Sequence, residues 1–113
     1  MSDLDRYPTE EELKRIAGWD FKAGFEDLID FIEDIWWNPD WGFRVYEGRE
    51  SLFRNRVIKL QLHTGGWSGN EDIIRALAEN QMFWSWCFWK EYVGGHYWFQ
   101  IRKNLWKGIR HNP

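Results

Sequence analysis

The stretch Phe83-Trp84-Ser85-Trp86-Cys87-Phe88-Trp89-Lys90-Glu91-Tyr92-Val93-Gly94-Gly95-His96-Tyr97-Trp98-Phe99-Gln100-Ile101-Arg102 decides the fold class. Aromatic side chains favour a pleated, half-buried surface, and paired glycines permit the left-handed backbone of a tight turn. The reading is a long aromatic strand from Phe83 to Val93, a turn at Gly94-Gly95, and a return strand from His96 to Arg102. Upstream, Val57 to His63 alternates, with Ile58, Leu60 and Leu62 on one face and Lys59, Gln61 and His63 on the other. Gly42 to Tyr46 reads as a short strand beside it. Two antiparallel hairpins result.

Helical signals surround these strands. Thr9-Glu10-Glu11-Glu12 has the spacing of a capping box, which predicts a short helix ending near Gly18. Phe21, Phe25, Leu28, Ile32 and Ile35 recur at helical spacing and predict a helix from Phe21 to Trp36, stopped by Asn38-Pro39-Asp40. Residues 69–80 predict another, with Ile73, Ile74, Leu77 and Ala78 facing inward. The expected fold is a single α+β domain over residues 1–113: an antiparallel sheet of about four strands packed with about three helices. Residues 1–6 and 107–113 are expected to be flexible.

Composition narrows the function. The 113 residues fit one domain, and no apolar run approaches the roughly 20 residues of a membrane span. The acidic N-terminus has no apolar segment of a secretory signal, and the single cysteine excludes an internal disulfide. A cytoplasmic address follows as the expectation. Ten Trp, eight Phe and four Tyr are more rings than a small domain can bury, so the remainder should line a groove, a ligand site or an interface. The net charge of −3 divides unevenly, −8 over residues 1–50 and +5 over residues 51–113. The overall sign argues against long nucleic acid, while the C-terminal half has charge enough for a few phosphates.

Two segments concentrate candidate chemistry. In Thr64-Gly65-Gly66-Trp67-Ser68-Gly69-Asn70-Glu71, Ser68 and Glu71 have capping-box spacing. Free N–H groups at a glycine-rich helix start form an anion site, though the lysine and spacing of a P-loop are missing. Trp67 in this turn either caps the end of the sheet or stacks on a base. In the strands, alternation puts His63 with His96, Trp98, Gln100 and Arg102 on one face, together with either Trp84, Trp86 and Phe88 or Phe83, Cys87 and Trp89. Rings with a few convergent donors suit a small polar ligand; the same mix also suits an oligomer contact.

The candidate ligand-binding residues are therefore His63, Thr64, Gly65, Gly66, Trp67, Ser68, Asn70, Glu71, His96, Trp98, Gln100 and Arg102. His63 and His96 are able to meet across paired strands, but no H-E-x-x-H or multi-cysteine pattern supports a metal, and no cofactor is expected. Cys87, between Trp86 and Phe88, reads as a buried inert thiol, and no triad or carboxylate pair marks a catalytic residue.

The strings Trp36-Trp37, Trp41-Gly42-Phe43, Thr64 to Glu71 and Gly94-Gly95-His96-Tyr97-Trp98-Phe99 resemble small proteins of tailed bacteriophages over most of residues 20–101. The resemblance implies an accessory protein in the cytoplasm of an infected bacterial cell. By analogy with accessory proteins that sequester nucleotide signals, it implies an anti-defence role. The leading expectation is capture of a small polar, nucleotide-like ligand without turnover. A protein-interaction module with a Trp-rich surface and a small His-dependent hydrolase are the alternatives. A homodimer or higher homo-oligomer is expected as the partner for leftover rings.

Overall fold

A computed structural model describes residues 7–50 and 52–108. Helix α1 (Glu10–Ala17) begins as its capping box requires: the Thr9 hydroxyl accepts from the Glu12 N–H at 3.1 Å, and the Glu12 carboxylate accepts from the Thr9 N–H at 2.9 Å. The helix expected from Phe21 to Trp36 is divided. A 3-10 turn (Phe21–Ala23) precedes α2 (Phe25–Ile35), and Gly24 between them has φ +85°. A Cβ on Gly24 would lie 2.7 Å from the carbonyl oxygens of Trp106 and Lys107, so close approach of the C-terminal segment enforces the break. Asn38 then turns left-handed, and Pro39 opens a one-turn helix α3 (Pro39–Gly42) that its sequence signalled only as a stop.

The remaining elements are β1 (Phe43–Arg49), β2 (Arg56–His63), α4 (Ser68–Glu79), α5 (Gln81–Cys87), β3 (Phe88–Tyr92), β4 (His96–Arg102) and α6 (Lys103–Lys107). The four strands form one antiparallel sheet in the order β1-β2-β4-β3. The class is α+β, with six α-helices among the described residues where about three were expected.

The largest correction falls on the aromatic strand, whose first half is α5. Asn80 caps that helix. Its Oδ1 accepts from the Phe83 N–H at 3.1 Å, while its Nδ2 donates to the carbonyls of Ile16 and Trp19. Phe83 and Cys87, one helical turn apart, are both buried on the core side. Burial of a helical face outweighs the modest β preference of aromatic residues. The strand proper is only Phe88–Tyr92.

The helices bury their apolar sides in one cluster with Leu60, Leu62, Phe99 and Ile101 from a single face of the sheet. In α4, Ile73, Ile74 and Leu77 face this core as expected; Ala76 does so instead of Ala78, which is exposed. The segments 1–6 and 109–113 lie outside the described residues. Lys107, expected to be flexible, closes α6, and Gly108 is buried against Gly24.

Candidate functional site on the open face of the sheet

Strand register sorts the remaining side chains. Opposite the core, one row across the sheet is Arg44, Gln61, Trp98 and Lys90, and the next is Tyr46, Lys59 and Gln100. His63, His96 and Tyr92 form a third row, and Val57 and Arg102 a fourth. A bulge between Phe88 and Lys90 brings Trp89 to this side, where the Lys59 and Lys90 ammonium groups sit 5.3 Å and 4.3 Å from its ring centre. Trp41 of α3 meets the His63 ring at 6.0 Å on the rim. The strand carboxylates Glu47 and Glu91 alternate to the other face. Among the described strand residues, the open face therefore has four cations, several rings, two amides and no acid.

Local chemistry ties the face together. Gln61 Nε2 donates to the Tyr46 hydroxyl at 2.7 Å. Lys90 lies over Trp89, Tyr92 and Trp98, and Arg44 over Tyr46, each within cation–π range. His63 Nδ1 and His96 Nδ1 are 2.5 Å apart across the end rung, so one ring carries the proton and the other offers its lone pair. Burial, and then the neighbouring His96 charge, push the His63 pKa below its ordinary value. Trp98 and Trp41 pack edgewise on the His63 ring.

At one corner the α5–β3 junction folds over the sheet. Glu50, Val57, Trp86, Cys87, Trp89, Gln100 and Arg102 enclose a recess of about 140 Å³. Gln100 Nε2 has no hydrogen-bond partner there and no contact with solvent. Burial pushes the Cys87 thiol up to about 12, which keeps it protonated and unreactive at neutral pH.

The loop expected to complete the site is built differently. Helix α4 starts at Ser68 with Trp67 in the capping position and no side-chain cap, so Ser68 is an exposed first-turn residue and not the N-cap. Asn70 is 1% exposed, and its amide is fully engaged: Oδ1 accepts from the Trp37 N–H at 2.8 Å, and Nδ2 donates to the carbonyls of Trp37 and Thr64. Thr64 is buried, donating its N–H to the Gly95 carbonyl at 2.9 Å. Trp67 is stacked between Tyr7, at 5.0 Å, and Trp37, at 5.1 Å, so both faces of its indole are covered. Gly65 and Gly66 have positive φ and are exposed, as is Glu71.

Thus the fold gathers His63, His96, Trp98, Gln100 and Arg102 on one face. It uses Thr64, Trp67 and Asn70 as internal fastenings at the end of that face. Sequence reasoning left out Arg44, Tyr46, Lys59, Lys90 and Tyr92. Strand alternation was the signal for the first three, and β3 was hidden by the misread helix. Neither set of α5–β3 residues joins the face as a unit: Phe83 and Cys87 are buried, Trp84 stacks on Phe88 at the core, Trp89 comes round to the face, and Trp86 reaches only its corner recess. No family model, curated protein or solved structure matches the chain. No helix among the described residues is long and apolar enough to cross a membrane.

Proposed function

We propose that the protein is a binding protein that captures a nucleotide-like ligand on the open face of its sheet, without turnover. The observation carrying this reading is that Arg44, Lys59, Lys90 and Arg102 surround Trp89, Trp98 and Tyr92 with no strand carboxylate among them, Glu50 standing only at the corner recess. Cations draw phosphate and rings stack on bases. Binding is favoured over hydrolysis because His63 and His96 turn their Nδ1 atoms on each other and the Cys87 thiol is buried. The resemblance to small phage proteins adds a setting: an accessory, anti-defence-like role in the infected cell, holding a nucleotide-derived immune signal.

The test is to incubate purified protein with mononucleotides, cyclic oligonucleotides and ADP-ribose-type compounds, remove the free compound, release what is bound by heat and weigh it by mass spectrometry. Intact recovery of at least one compound is expected, with retention weakened by Trp98→Ala. Absence of binding across the panel at millimolar concentration, or recovery of cleaved product, would overturn the reading.

A further inference from the structure

We infer that the open face holds a short single strand of nucleic acid, laid across the strands from β1 to β3, in preference to one free nucleotide. This rests on the sheet-face reading above and names its ligand class. Arg44 is on the β1 edge and Lys90 on the β3 edge of the same row, with Gln61 and Trp98 between them. Neighbouring strands lie about 4.8 Å apart, so these two positions are separated by about 14 Å. A mononucleotide concentrates its charge at one end and cannot serve both edges. A strand of successive phosphates serves both, and also meets Lys59 and Arg102 in the adjoining rows.

The rings are arranged to match. Trp98 lies mid-row between two cations, Trp89 is beside Lys59, and Tyr92 borders Lys90. Aromatic rings on a four-stranded sheet stack unpaired bases, which a duplex keeps to itself. The acidic balance of the rest of the chain repels a long polyanion, which limits the occupant to a short strand. A second copy of this chain is a poor occupant, because a two-fold contact through this face sets one patch of four cations against another of the same sign. An acidic peptide shares the charge but makes no use of the stacking rings.

The experiment follows fluorescence anisotropy of labelled oligothymidylates of increasing length, with thymidine monophosphate and an aspartate-rich peptide as competitors. Affinity should rise with length and level off at about three nucleotides. The logarithm of the binding constant should fall against the logarithm of salt with a slope of about −0.7 for each phosphate held. The double variant Lys59→Gln, Lys90→Gln should flatten that slope, and Trp98→Ala should weaken binding roughly tenfold or more. Should Trp98→Ala fail to fold, the lysine pair, which is not part of the core, carries the test alone. Equal affinity for the monophosphate and the oligomers overturns the single-strand inference and leaves nucleotide capture standing. Stronger competition by the acidic peptide overturns it in favour of a protein partner. Absence of binding by oligomers and monophosphate alike defeats this inference together with the reading it rests on.

Discussion

At the scale of single residues, the paired imidazoles make the fold sensitive to acid. The His63 pKa is depressed in the folded chain by burial and by His96, so the unfolded chain binds protons more readily. Its contribution to stability is therefore complete above the ordinary histidine value of 6.5 and is lost as pH falls through 6.5 and past the lower folded value. Urea midpoints measured from neutral to acid pH should decline over that window, and His63→Gln should remove the step. A midpoint that stays level there would show that the pair protonates without cost. Asn70 and Ser68 make a second contrast. Asn70→Ala breaks the three hydrogen bonds of a buried side chain and leaves the Trp37 N–H without its partner, at a cost of about 3 kcal/mol. Ser68→Ala, at an exposed position without a capping bond, should change stability by less than about 0.5 kcal/mol. Chemical denaturation of the two variants checks both. The S-x-x-E spacing pointed to the wrong residue of this pair, because the sequence does not reveal that Trp67 occupies the capping position one step earlier.

Among the elements, the boundary between α5 and β3 shows what local sequence could and could not convey. Ile58, Leu60 and Leu62 alternate with polar residues, so β2 and its two faces were legible, and so was the turn at Gly94-Gly95. From Phe83 to Trp89 five of seven side chains are aromatic, and a run with so little contrast has no clear period to read. The deciding contact is distant in sequence: Asn80 caps α5 while reaching the carbonyls of Ile16 and Trp19. The division of the second helix at Gly24 has a similar origin, since the carbonyls that forbid a side chain there come from Trp106 and Lys107. Gly24→Ala combines positive φ with that clash and should destabilise by about 2 kcal/mol or more, measured by thermal melting. Trp67 is the clearest revision. Clamped between Tyr7 and Trp37, it acts as a fastening between loops, so Trp67→Ala should lower stability by about 2 kcal/mol. An unchanged melting temperature would mean the stack contributes nothing and frees the ring for a ligand.

For the molecule as a whole, the surplus of rings has a location. Trp36 alone of the ten Trp is buried, while Trp41, Trp86 and Trp89 are exposed and stand around the open face and its corner recess. Charge is arranged as well: four cations stand on that face, while Asp30 and Glu33 of α2 line a groove with Arg44 at its edge. This arrangement bears on self-association. A homodimer, the expectation from Trp content, gains nothing from the open face, where like charges would meet. The exposed apolar pair Leu52 and Phe53, at the tip of the β1–β2 hairpin, is a surface apart from that face, flanked by Arg49, Glu50, Arg54 and Arg56. Sedimentation velocity should then show a dimer that survives addition of a short oligothymidylate and dissociates in Phe53→Ser, whose oligonucleotide affinity stays at the wild-type value. Dissociation in Lys59→Gln, Lys90→Gln would instead put the contact on the open face. The rings there would then be an interface, and the charge argument for a nucleic-acid occupant would lose its footing.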